Sequence, residues 1–151
     1  MIGLLQRVSE ARVDVAGECV GRIGPGLAVL VAVERGDTDA QAERLLERLV
    51  GYRVFPDAEG RMNLSLADTG GALLLIPQFT LAADTRKGSR PGFSAAASPG
   101  DGERLFGRLV ERARKQLPVV ETGRFGAHMQ VSLTNDGPVT FWLQAAPGRS
   151  D

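Results

Sequence analysis

The chain has 151 residues, 43% of them hydrophobic and 24% charged, which fits one folded domain and excludes bulk disorder. Its 18 Lys+Arg balance 18 Asp+Glu, so no global basic field exists to hold a nucleic acid non-specifically. A lone Cys19 and a lone His128 exclude a disulfide framework within the chain and a cysteine-built zinc site.

The N-terminus, Met1 to Arg7, has no long apolar segment of the secretory kind. The longest apolar run, Leu27 to Val33, is far short of the ~20 residues of a membrane span. The expectation is a cytoplasmic protein with no membrane partner. Leu4 to Val8 alternates as a first strand. Arg12 to Val15 and Glu18 to Gly21 flank Ala16-Gly17 as a hairpin. Gly24-Pro25-Gly26 is a further turn. The continuous apolar run Leu27 to Val33 then reads as a central strand covered on both faces.

Asp37 or Thr38 can cap a helix running to Val50, with Leu45, Leu46, Leu49 and Val50 on its inner stripe. Tyr52 to Phe55 reads as a short strand. Leu73 to Ile76 reads as a second buried strand, running into Pro77-Gln78-Phe79-Thr80-Leu81, where Gln78 and Thr80 alternate to one face and Phe79 to the other. Residues 83–99 form a long loop, and loops of that length in compact domains are commonly functional. A second helix is expected from Gly102 to Leu117, stopped by Pro118. Val119 to Glu121, Met129 to Leu133 and Val139 to Ala145 read as strands, with Asn135-Asp136-Gly137-Pro138 as a turn. The sum is a sheet-dominant α+β single domain over residues 1–146. It holds about eight strands in a mixed or antiparallel, barrel-like arrangement and two main helices. Residues 147–151 read as a frayed tail.

Conventional catalytic sets are scarce. Any Ser-His or Cys-His scheme must use His128, which also reads as a structural histidine at a strand start. No paired-carboxylate signature appears, and Asp84, Glu121 and Asp136 sit beside turns that explain them. The glycine-rich Gly21 to Gly26 lacks the lysine and following helix of a phosphate loop. Two segments stand out. Gln78-Phe79-Thr80 lies at the C-terminal end of a buried strand, where sheet proteins hold ligands, although it also reads as a strand leaving its sheet. Asn135 to Thr140 reads on its own as a plain β-turn.

Several segments, taken in order, resemble the bacterial D-aminoacyl-tRNA deacylase (D-tyrosyl-tRNA deacylase) family. They are Gln6-Arg7-Val8, Gln78-Phe79-Thr80-Leu81, Arg86-Lys87-Gly88, Arg90-Pro91-Gly92-Phe93, Gly126-Ala127-His128-Met129 and Asn135-Asp136-Gly137-Pro138-Val139-Thr140. Each motif is weak alone; their co-occurrence in this order is specific. The resemblance implies a homodimeric hydrolase without metal or organic cofactor. Such an enzyme cleaves the ester joining a D-amino acid, or mischarged glycine, to the 3′-terminal adenosine of tRNA. It implies a catalytic segment at Gln78, Phe79 and Thr80. Gly137 and Pro138, joined by a cis bond, would enter the partner's site as a wedge that rejects L side chains, with Met129 and Asn135 beside the substrate. Arg86, Lys87 and Arg90 would meet tRNA phosphates. The partners implied are D-aminoacyl-tRNA and glycyl-tRNA, with no DNA.

Pro77 stands where many relatives have Ser, so that position offers no nucleophile. Thr80 would need His128 as its base. The alternative is that backbone N–H groups near Phe79 and Thr80 hold the oxyanion while the adenosine 2′-hydroxyl assists. Arg104, Arg108 and Arg112 share one helix face but read as a solvated surface interrupted by Glu103 and Glu111. Two rival readings remain open: a non-catalytic RNA-binding module on the same scaffold, and a small-ligand hydrolase built on His128.

Overall fold

The computed structural model describes residues 1–147; the tail expected to fray lies, from residue 148, outside the described residues. Its spine is β1 (Ile2–Val15), one continuous strand rather than the two expected. Val8 and Ala11 are both buried, and pairing carries the strand through Ser9-Glu10 although no apolar alternation marks that stretch. The hairpin at Ala16-Gly17 leads into β2 (Glu18–Ile23), which pairs with residues 11–15 of β1. After Gly24-Pro25, β3 (Gly26–Ala32) continues antiparallel along Ile2–Val8 in the same direction. Two parallel strands follow outward: β6 (Ala72–Pro77) on β3, and β7 (Val120–Thr122) on β6. The other edge of β1 carries β8 (Gln130–Gln144), again one strand where two were expected. A separate ribbon joins β4 (Phe55–Pro56) to β5 (Met62–Leu64).

The apolar runs in β3 and β6 are covered on both faces, as expected of parallel strands. Leu27, Val29, Leu73 and Leu75 face a core completed by two helices, whereas Ala28, Leu74 and Ile76 join Val8, Val13 and Ile23 on the opposite face. The helices are α1 (Asp39–Gly51), contributing Leu45, Leu46 and Leu49, and α3 (Pro99–Gln116), contributing Leu105 and Leu109. Thr38 caps α1 through a reciprocal box with Gln41. The start of α3 is earlier than expected because the Ser98 hydroxyl accepts from the Asp101 amide and Pro99 sits in the first turn. A short α2 (Leu66–Thr69), capped by Ser65 and Asp68, carries only Leu66 into the core and leaves no periodic signature.

The sheet curls until β7 lies against β2. A Cβ on Gly21 would stand 2.4 Å from the Thr122 carbonyl oxygen, and one on Gly26 only 1.9 Å from that of Ala72. Both glycines are therefore required by close backbone approach. The Met1 ammonium is buried at the sheet edge, donating to the Ala145 carbonyl at 2.7 Å and pairing with Asp37 at 2.8 Å and Glu34 at 3.1 Å.

Helices α1 and α3 are laced by charge. Arg104 pairs with Asp39, Arg112 with Glu43, and Arg108 lies between Asp39, Glu43 and Glu111. The arginine face expected to be solvated is thus an inter-helix ion-pair network.

Gly26→Ala is expected to cost about 3 kcal/mol or more, since backbone must part to admit the methyl. Gly107→Ala, in α3 with open space around its Cα, is expected to gain about 0.5–1 kcal/mol. Denaturant midpoints at constant m-value check both.

Candidate functional site

At the C-terminal ends of β3 and β6 a cavity of about 480 Å³ opens between the sheet, the start of α3 and the 123–129 segment. Its floor is apolar, built from Val31, Ile76 and Phe106. Pro77, Gln78 and Phe79 form one rim; Phe125, His128 and Met129 form the facing wall. Among the described residues His128 is the one ionisable side chain lining it, and it makes no hydrogen bond there. A cleft of this kind suits a neutral organic group oriented by a few polar atoms.

After Pro77 the chain does not continue as a strand. The Gln78 amide donates to the Val31 carbonyl at 2.7 Å, and Phe79–Ala82 then form a turn of 3-10 helix. The expected alternation of Gln78 and Thr80 against Phe79 is accordingly absent. In its place the tighter turn leaves the amides of Phe79 and Thr80, the first two of the helix, without intrahelical acceptors. Gln78 Nε2 donates to Thr80 Oγ1. Among the described residues no carboxylate or imidazole hydrogen-bonds the Thr80 hydroxyl.

Asn135 to Thr140 is not a plain turn. Gln6 of β1 pairs with Thr140 and Val8 with Asn135, so residues 136–139 are left out of the ladder and project as an excursion from β8. The Gly137–Pro138 peptide is cis, and both residues are exposed. Three contacts hold the excursion. Asn135 Oδ1 accepts from the Val139 amide at 2.9 Å, and Asn135 Nδ2 donates to Thr140 Oγ1 at 2.8 Å. Arg7 Nε donates to the Asp136 carbonyl at 3.0 Å while its other arm donates to the Val54 carbonyl at 2.7 Å. Gln78, Phe79 and Met129 thus meet at one cavity, whereas Gly137 and Pro138 are not among its lining residues within a single chain.

The long loop is partly ordered as a hairpin closed by reciprocal Asp84–Gly92 backbone bonds of 2.7 and 3.0 Å. Arg86 binds the Asp84 carboxylate through two nitrogens at 2.9 and 2.8 Å. These bonds hold the Asp84 carboxyl well below the usual range and raise the Arg86 guanidinium. Arg86 is therefore engaged within the chain. Lys87 and Arg90, both exposed, have no ion pair among the described residues.

Sequence reasoning assigned no role to Arg7 or Phe93. Arg7 reaches a carbonyl 129 positions away, which no local pattern discloses. Phe93 packs against Phe79 with ring centroids 5.2 Å apart; its signals were an aromatic in a long polar loop and its place in the Arg90-Pro91-Gly92-Phe93 segment.

A cavity at parallel-strand ends, with an apolar floor and one ionisable lining side chain among the described residues, defines a candidate binding cleft. A family model described as D-Tyr-tRNA(Tyr) deacylase matches residues 4–144. A D-aminoacyl-tRNA deacylase of Thioalkalivibrio sulfidiphilus (strain HL-EbGR7) is 66% identical, covering 99% of this chain and 100% of that one. Another, of Paracidovorax citrulli (strain AAC00-1), is 65% identical over 97% of this chain and 95% of its own length. The fold is also that of a solved c-Myc DNA unwinding element binding protein, with a TM-score of 0.93 and 35% identity over 97% of this chain and 99% of that one. A probable eukaryotic D-amino acid tRNA deacylase shares the fold at a TM-score of 0.79 and 19% identity, covering 95% of this chain and 98% of that one. The chain belongs to the D-Tyr-tRNA(Tyr) deacylase family.

Asn135→Ala is expected to speed hydrogen exchange at the Val139 amide while lowering global stability by only about 1 kcal/mol. Exchange of that amide against the denaturant midpoint checks it.

Proposed function

We propose that this chain is a D-aminoacyl-tRNA deacylase that hydrolyses the ester between a D-amino acid, or glycine, and the 3′-terminal adenosine of tRNA. The observation that carries the reading is an apolar cavity rimmed by Gln78 and Phe79, beside a 3-10 turn whose first amides, of Phe79 and Thr80, lack intrahelical acceptors, in a chain that belongs to a deacylase family. The two N–H groups donate to the ester carbonyl oxygen and bind it more strongly as negative charge develops. Water attacks the carbonyl carbon, positioned by the neighbouring 2′-hydroxyl. The bond to the 3′-oxygen breaks and that oxygen takes a proton, which leaves free amino acid and an intact tRNA end. Thr80 is not needed as nucleophile: its hydroxyl is engaged by Gln78 and has no base beside it.

Chirality is filtered by exclusion. The Gly137-Pro138 excursion is exposed and held on its own chain by Arg7 and Asn135, so it is available to a second copy's cavity. A rigid backbone wedge that clashes with an L side chain rejects it more strongly than the ~1–3 kcal/mol a soft apolar pocket can supply. A D side chain points elsewhere, and glycine has nothing to exclude. The homodimer this requires is supported by β8, a long strand with one unpaired edge and with Val131, Phe141 and Trp142 exposed. The site suits a compartment where charged tRNA circulates, the cytoplasm. Lys87 and Arg90 meet RNA phosphates, because Arg104, Arg108 and Arg112 are committed to α1 and Arg86 to Asp84.

Rapid loss of D-tyrosyl-tRNA with L-tyrosyl-tRNA intact is the expected outcome at catalytic protein concentration. Binding without turnover of either ester would make the chain a non-catalytic RNA-binding module. Thr80→Ala is expected to stay within about tenfold of wild type; a loss of about four orders of magnitude would make Thr80 the nucleophile. Lys87→Ala and Arg90→Ala are each expected to flatten the salt dependence of tRNA binding by about one unit of slope, while Arg112→Gln leaves it unchanged. Filter binding across a salt series separates these cases.

A further inference from the structure

Two phenylalanine rings stand in the open beside the cavity. Phe79 is 60% exposed and Phe93 is 41% exposed. Their centroids are 5.2 Å apart with planes inclined at 52°, so together they present two adjoining apolar faces set at an angle. Leaving two large rings exposed side by side forgoes the burial that Phe ordinarily gains, which marks a surface meant to be covered. Phe79 also lines the cavity rim, so this surface is continuous with the site. Phe93 directly follows the Asp84–Gly92 hairpin, which carries Lys87 and Arg90. Its backbone is fixed by its carbonyl, which accepts from the Ala96 amide at 3.1 Å. Along the chain Lys87 and Arg90 therefore lie between Phe79, at the cavity, and Phe93, which returns to it.

We propose that the Phe79–Phe93 pair is a stacking platform for the nucleobase immediately 5′ of the terminal adenosine in the substrate RNA. This rests on the deacylase reading, which puts the terminal adenosine in the cavity. The end of such an RNA is single-stranded, and single strands are held by aromatic rings under the bases and cations along the backbone. The hairpin that carries Lys87 and Arg90 ends at Gly92, next to Phe93, so its cations are the nearest in sequence to a base placed there. Stacking accepts any base, so the platform adds affinity without restricting which tRNA is processed. Phe93 is a positioning residue in this scheme: it holds the strand and touches no reacting atom.

The test compares two substrates, D-tyrosyl-tRNA and the D-tyrosyl ester of adenosine alone, which lacks the neighbouring base. Phe93→Ala is expected to raise KM on D-tyrosyl-tRNA by about tenfold or more with kcat within about twofold, and to leave the adenosine ester within about twofold of wild type. Phe93→Trp is expected to restore KM. Equal losses on both substrates would overturn the proposal, since Phe93 would then only brace Phe79. So would an unchanged KM on tRNA, or dissociation of the protein by Phe93→Ala in sedimentation, which would make the rings an interface between copies. A second readout is independent of turnover. An RNA with 2-aminopurine next to its terminal adenosine is expected to be quenched on binding wild type and not Phe93→Ala; equal quenching by both would also overturn it. If the wild-type protein cleaves neither ester, the deacylase reading falls, and the quenching alone decides the platform.

Discussion

Strand β1 is hydrogen-bonded on both edges along nearly its whole length, to β8 on one side and to β2 and β3 on the other. Every other sheet element is placed by that double ladder. The two edges are not equivalent. On the β2 and β3 side the register is steady apart from one irregularity near Val13-Asp14. On the β8 side residues 136–139 have no partner and must leave the plane. A surplus of residues against a fixed strand is thereby converted into a protrusion whose direction the sheet dictates. Arg7 and Asn135 then remove its remaining freedom, one from the strand beneath and one from the base of the excursion itself. The cavity is placed by the same spine, because β3 positions β6, and the end of β6 sets the turn at Gln78.

Chemically the cavity is sparse. Most hydrolytic sites array a nucleophile, a base and an orienting acid; the lining of this cavity offers an amide side chain and an imidazole, beside a turn whose first two backbone amides lack intrahelical acceptors. Backbone donors survive every substitution except proline and do not titrate. Their geometry is set by the 3-10 turn at Phe79, which starts directly after the Gln78 amide is tied back to Val31.

Local patterns made the buried strands, both main helices and a cap at Asp37 or Thr38 legible, because each rests on periodicity or side-chain chemistry confined to one segment; the structure selects Thr38. They failed where tertiary pairing overrode local signals. Ser9-Glu10 looks like an interruption, yet β1 runs through it; Asn135 to Pro138 looks like a turn, yet β8 resumes beyond it. The sequence cues for β5 and α2 are too short to rise above loop composition. The site residues were legible through family resemblance more than through physics, since Gln78 and Met129 meet only once the 123–129 segment crosses the sheet end. The helix arginines misled in a different way. Their spacing was right for a surface stripe, but the acidic partners sit on α1, more than fifty positions upstream.

That network sorts the cations. Cations paired between α1 and α3, and on Asp84, are already neutralised by their own chain, and each would have to give up its carboxylate before it could meet another anion. Salt screens such exposed pairs, so the tie between the two helices loosens as ionic strength rises while the buried apolar contacts of Leu45, Leu46, Leu105 and Leu109 do not. Equal numbers of positive and negative side chains, unremarkable as a bulk property, thus conceal a division between arginines that brace the fold and cations left open to solvent.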